Sequence, residues 1–343
     1  MKALVHTAPY KMEVLEWPMP EVGPDDLLVQ VKACAICGSD VKGYTGKTGR
    51  RQPPIIMGHE AAGIVAAVGE HVRGFQVGDR VCFDSTIYCQ KCVYCLAGLP
   101  NLCLNRRVLG VSTGEYRQHG AMAEYVAVPH WIAVHMPEGM SFAHAAIVET
   151  VSIGVHAANR TPLRLNDTVV IVGAGPIGLF ALQAIQLKGA GKVIITDLFA
   201  SRLELARQLG ADVTLFANDP DLMAKLRAET GPLGADAAIE AVGVESAVAT
   251  ALAITRDGGA LTLVGNVAPT INISLQGIVT REITIYGVTA SAGEYADCVA
   301  LVASGKIAVE PFISEYASIE QGQEVFDRLY KGAEGHIKTV FIF

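Results

Sequence analysis

From Thr168 onward, short apolar runs alternate with longer stretches in which apolar residues recur at helical spacing. VVIVGAG is followed by PIGLFALQAIQLKG, KVIITD by SRLELARQLG, and ADAAIEAVG by ESAVATALAIT, before ALTLVG and EITIYGV close the series. Strands that alternate with helices predict a parallel, doubly wound α/β sheet of six strands. The earlier part of the chain reads differently. KALVHTA, DLLVQVKA, AAGIVAAVG, DRVCF and AEYVAVP are short runs broken by Gly, Pro and Asp, which predict an all-β lobe. Residues 142–160, FAHAAIVETVSIGVHAANR, carry a helical pattern and bridge the two regions. After Gly287, a helical EYADCVALVASG and a strand-like HIKTVFIF exceed what the sheet needs and are expected to return to the first lobe. The expected division is 1–150, 151–287 and 288–343.

Composition narrows the class. With 343 residues, 51% of them hydrophobic, and mean hydropathy +0.35, the chain can bury two cores. A formal net charge of -7 opposes nucleic acid or an anionic membrane as partner and leaves small molecules and copies of the chain itself. MKALVHTAPYKMEV has neither an apolar core nor a small-residue cleavage site, so a cytoplasmic protein with reduced thiols is expected. The longest apolar run, VVIVGAGPIGLFALQAI, holds three glycines and a proline, and reads as strand, turn and helix rather than a membrane span.

Reduced thiols change the meaning of CQKCVYCLAGLPNLC, which packs four of the eight cysteines into residues 89–103. Clustered cysteines in such a setting bind metal more often than they form disulfides. Cys89, Cys92, Cys95 and Cys103 suit a closed, tetrahedral, structural zinc site with no position open to substrate.

The run Gly173, Gly175, Pro176, Ile177 and Gly178 sets glycines in GxGxxG order between a strand and a helix. That order serves a tight turn, close approach to a pyrophosphate, and helix packing against the sheet. Asp197 ends the next strand, nineteen residues beyond Gly178, where a carboxylate accepts hydrogen bonds from ribose hydroxyls and repels a 2′-phosphate. NAD is therefore expected over NADP. Arg202 is the one nearby cation within reach of a 2′-phosphate, although its helix position also suits plain solvation.

Of the remaining cysteines, Cys37 stands in CGSD, and MGHEAAG then offers His59 and Glu60. A catalytic zinc needs about three protein ligands and one open position, and Cys37 with His59 supply two. Cys34, Cys82 and Cys298 are assigned to core packing.

GHEAAGIVAAVGEHVRGFQVGDRV, the four-cysteine clamp and the late dinucleotide fingerprint, in this order, resemble the zinc-dependent medium-chain dehydrogenase/reductase family over the whole chain. The resemblance implies a GroES-like catalytic domain beside a Rossmann domain, one catalytic and one structural zinc, NAD, and a homodimer or homotetramer. It places the third ligand position at Glu149 in VETVSIGVHA, and a carboxylate there points to the sorbitol (L-iditol) dehydrogenase-like branch. In that branch Glu60 and Glu149 share duty, one binding the metal and the other its water. The resemblance also implies that Asp40 orients His59 and that Ser39 hydrogen-bonds the substrate alcohol. The chain departs from the family in two places. Lys42 and Gly43 follow CGSD where relay members often have a histidine, and GVTASAGEY replaces an aromatic-Arg-aromatic run.

The expected activity is oxidation of a secondary alcohol of a polyol or sugar-derived substrate by NAD. Alternatives are a sugar phosphate or a threonine-like amino alcohol, for which Lys47, Arg50 and Arg51 would face the anion instead of forming a solvated loop. A non-catalytic zinc and nucleotide-binding protein is the reading from another class; it would leave Cys37 and His59 without a task.

Overall fold

In a computed structural model the chain is described over residues 1–113, 116–332 and 335–343. It forms two compact units, Met1–Glu149 with Ser291–Phe343, and Thr150–Ala290. The division falls inside the helix Phe142–Arg160, directly after Glu149.

Unit Thr150–Ala290 is built on a six-stranded parallel sheet. Its spatial order is Val213–Phe216, Lys192–Asp197, Thr168–Val172, Ala235–Glu240, Thr255–Leu263 and Thr284–Gly287. Helices Pro176–Leu187, Ala200–Gln208, Leu222–Thr230 and Glu245–Ile254 follow the first four strands in chain order. Because Val169, Val170 and Ile171 are all fully buried, the first strand is an unbroken apolar run, as a sheet covered on both faces requires. The sequence pattern did not separate Val213–Phe216 or the helix after it. That strand is four residues long, lies at the sheet edge, and has no fully buried side chain.

The other unit is centred on a sheet in the order Ala133–His135, Arg80–Phe83, Glu60–Val68, Asp26–Ala35, Lys338–Ile342 and Ile313–Ala317, with Tyr125–Pro129 also paired to Asp26–Ala35. Alternation is broken in Asp26–Ala35, whose pairing with Glu60–Val68 shifts register twice. These irregularities let Ala33, Cys34 and Ala35 be buried in succession. Leu27, Val29, Val31, Phe83, Phe326 and Phe341 fill the core below the sheet. Three strand ends meet here: Ala35 pairs with Glu60 on one side and with Val340 on the other. Among the described residues, no helix is long and apolar enough to cross a membrane.

Candidate metal centre and dinucleotide cradle

Where those strand ends meet, chemistry is concentrated. Cys37 follows the strand Asp26–Ala35 and precedes the short helix Gly38–Gly43, while His59 directly precedes the strand Glu60–Val68, which Glu60 opens. One ligand atom each from Cys37, His59 and Glu60 lies within 4.8 Å of the others. Thiol, imidazole and carboxylate at that spacing form a donor set that zinc accepts. His59 is buried, and its Nδ1 has no hydrogen-bond partner at ordinary distance; it faces Asp40 Oδ1 at 3.5 Å.

The surroundings set the charge. Burial pulls the His59 imidazole down, but the neighbouring Asp40 and Cys37 outweigh it and hold its pKa well above the ordinary value. Asp40 accepts at Oδ2 from the Cys37 backbone N–H at 3.2 Å and at Oδ1 from Arg51 Nη2 at 2.9 Å. Burial pushes its carboxyl up, but His59 and Arg51 together hold it below the carboxylate range. Both Glu60 oxygens accept from Lys338 Nζ, and both side chains are buried. Glu149 lies outside the trio and accepts from Ser85 Oγ at 2.7 Å. Burial raises its carboxyl to about 7, with the Glu60 charge adding to the rise and His59 opposing it.

The four clamp cysteines form a second cluster, with ligand atoms within 4.8 Å of one another and no disulfide. Cys92 Sγ lies 3.5 Å from Cys95 Sγ, and Cys103 Sγ accepts from the backbone N–H of Cys89 at 3.2 Å and of Asn105 at 3.3 Å. Four sulfurs converging on one point, with amide donors around them, suit a closed zinc site and leave no protein-free corner for a substrate.

In the other unit, Gly173 adopts φ 107° and Gly175 caps the helix Pro176–Leu187. A Cβ on Gly178 would lie 1.9 Å from the carbonyl oxygen of Gly173, so only glycine lets the helix sit this close to the turn. At Gly175 nothing lies within 4 Å of a Cβ position, which leaves open space over the helix N-terminus where a pyrophosphate would sit. Asp197 accepts at Oδ2 from the Ala174 N–H at 2.8 Å and at Oδ1 from the Phe199 N–H at 3.0 Å. A carboxylate has about four acceptor positions, so it keeps capacity for hydroxyl donors. Arg202 stands 3.8 Å from Asp197 Oδ2 with its guanidinium over the Phe199 ring.

Sequence comparison matches residues 23–138 to the alcohol dehydrogenase GroES-like domain and residues 176–304 to the zinc-binding dehydrogenase domain. Sorbitol dehydrogenase of Bacillus subtilis is 36% identical over 96% of this chain and 93% of its own length. The chain belongs to the zinc-dependent medium-chain dehydrogenases. Solved structures agree with this family. A zinc-binding dehydrogenase of Sinorhizobium meliloti bound to NADP superposes with a TM-score of 0.91 at 32% identity, covering 100% of this chain and 99% of that one. An Escherichia coli alcohol dehydrogenase complexed with NADH gives 0.92 at 28% identity, over 100% and 99%.

Two residues of this medium-chain dehydrogenase correct or extend the sequence reading. Arg51 is not part of a solvated loop: it is 5% exposed and holds Asp40, while Lys47 and Arg50 are exposed as expected. Lys338 was not singled out. Its signal was a lysine inside an otherwise apolar strand, where Lys338, Thr339, Val340 and Phe341 are all buried. Cys34, Cys82 and Cys298 are buried thiols.

Proposed function

We propose that this medium-chain dehydrogenase oxidises a secondary alcohol of a polyol or sugar-derived substrate, with NAD as hydride acceptor. The convergence of Cys37, His59 and Glu60, in a chain that also holds a separate four-cysteine cluster, carries this reading. Bound zinc supplies Lewis acidity toward the substrate hydroxyl, and bound NAD accepts the hydride.

Cys37, His59 and Glu60 would hold the catalytic metal, with Glu149 beside them as the carboxylate that serves its water or takes Glu60's place. Asp40 faces His59 Nδ1 and so favours the tautomer that leaves Nε2 as the ligating atom. Ser39 is the hydroxyl that would hydrogen-bond the reacting alcohol. Gly173, Gly175, Pro176, Ile177 and Gly178 would cradle the pyrophosphate, and Asp197 the ribose. Arg202 is drawn toward Asp197, which supports NAD over NADP.

Likeness to sorbitol dehydrogenase supports a polyol substrate. The phosphate alternative loses one of its three cations, since Arg51 is turned inward onto Asp40. A cytoplasmic homodimer or homotetramer completes the proposal, supported by the family resemblance. The test is steady-state kinetics with NAD on hexitols, pentitols, their phosphates, threonine and 2-butanol. A polyol should lead the panel, with 2-butanol lower by about a hundredfold or more, because a site built for hydroxyls leaves its polar groups unpaired with a simple alcohol. Equal efficiency on 2-butanol and the polyols would reject the substrate class.

A further inference from the structure

No histidine follows CGSD, and Gly43 stands in that stretch. A Cβ at Gly43 would lie 2.1 Å from Arg51 Cδ, 3.0 Å from its Cγ and 3.1 Å from its Cβ. The missing side chain therefore makes room for the arginine stem, which crosses the helix Gly38–Gly43 to reach two acceptors. Arg51 Nη2 donates to Ser39 Oγ at 2.9 Å and to Asp40 Oδ1 at 2.9 Å, and Nε donates to the same Asp40 oxygen at 3.2 Å. Asp40 is fully buried and Arg51 is 5% exposed.

We propose that Arg51 is a positioning residue for the catalytic site, tying the Asp40 carboxylate behind His59 to the Ser39 hydroxyl. This inference rests on the alcohol dehydrogenase reading above. A guanidinium offers only donors, so Ser39 Oγ is an acceptor on the Arg51 side and its own proton is directed away from Arg51. The guanidinium keeps its charge at any working pH, so Arg51 fixes the hydroxyl's direction without carrying a proton. Its charge also balances Asp40, which would otherwise be a buried anion with only a 3.5 Å imidazole contact beside its backbone donor. One side chain thus sets both the orientation of a metal ligand and the polarity of the substrate-facing hydroxyl.

The test compares wild type, Arg51→Ala and Arg51→Lys as purified, zinc-loaded proteins, by chelator competition and by steady-state kinetics with NAD and the best alcohol. Arg51→Ala should bind one of its two zinc ions roughly 10–100-fold more weakly, the range seen when the partner behind a ligating histidine is lost. Its kcat should fall by about tenfold or more while KM for NAD stays within about twofold, since the dinucleotide cradle is untouched. Arg51→Lys keeps a charge for Asp40 but has no planar fork to span both acceptors, so zinc affinity should return further than kcat. Wild-type zinc affinity and kcat in Arg51→Ala would overturn the proposal, as would no recovery of either in Arg51→Lys. If Arg51→Ala does not fold, Gly43→Ala is the second variant, since its methyl displaces the arginine stem and should cause the same two losses; wild-type behaviour there also overturns the proposal. A wild type inert on every alcohol would reject the dehydrogenase reading alone, and chelator competition would still decide whether Arg51 supports the metal ligand.

Discussion

Under the proposed function, Asp197 would carry the cofactor choice in one carboxylate. Its backbone contacts to Ala174 and Phe199 fix it at the end of its strand, with acceptor capacity left for the two ribose hydroxyls. Asp197→Ser should weaken NAD, relieve repulsion of a 2′-phosphate, and shift the ratio of kcat/KM values toward NADP; a wild type that already prefers NADP would refute the argument. Residues of this kind stand out as candidates in the sequence because they belong to a recurring spacing. Cys37, His59, Asp197 and the clamp cysteines all announce themselves in that way. Arg51 and Lys338 did not, because neither belongs to a recurring spacing that points to its partner, Asp40 or Glu60. Nothing in a one-dimensional pattern distinguishes a buried arginine of the Arg50–Arg51 doublet from its exposed neighbour.

At the scale of the element, the turn between Val172 and the helix Pro176–Leu187 works only if the two backbones nearly touch. Gly178→Ala would drive a methyl into the Gly173 carbonyl. We expect a loss of about 1–3 kcal/mol, the usual cost of overpacking, together with a higher KM for NAD; urea titration and kinetics would show both. The cysteine lobe makes the opposite case. Its helix Val93–Leu96 has four residues and no buried side chain, so a metal bound by the four sulfurs would hold the loop where packing is sparse. Cys92→Ser should lower the thermal midpoint and solubility, whereas Cys37→Ser should abolish turnover and leave the fold intact. Metal analysis should find two zinc ions per chain in wild type and one in Cys37→Ser; saturation at a single zinc with full activity would sink the two-site proposal. Many of the strands and helices were visible in the hydrophobic pattern because they are half or wholly buried, but Lys11–Glu16, Leu222–Thr230 and Gly322–Lys331 were not read. The strand Val213–Phe216 was not read either, although the opposite edge strand, Thr284–Gly287, is equally short and was.

At the scale of the molecule, the Glu60–Lys338 pair joins residues 278 apart in a fully buried contact. In the metal-free protein, Lys338→Met would leave the Glu60 carboxylate buried without its counter-charge. Breaking a buried pair from one side costs about 3–5 kcal/mol, so the denaturant midpoint should fall steeply, while Lys338→Arg should recover part of the loss. A variant as stable as wild type would show that Glu60 finds another partner. The same contact has a meaning for synthesis. Residues 150–290 form a continuous segment with its own core, so we expect them to fold as soon as they leave the ribosome, where chains grow by about 5–20 residues each second. The unit before them cannot. The edge of Asp26–Ala35 beside Cys34 and Ala35 stays open until residues 338–342 arrive to pair with it, and Lys338 arrives on that strand. Nascent chains stalled before residue 338 should therefore present a protease-resistant middle and a labile beginning, and a translation error that shortens the chain leaves a nucleotide-binding fold with an unfinished metal centre instead of a partly active enzyme.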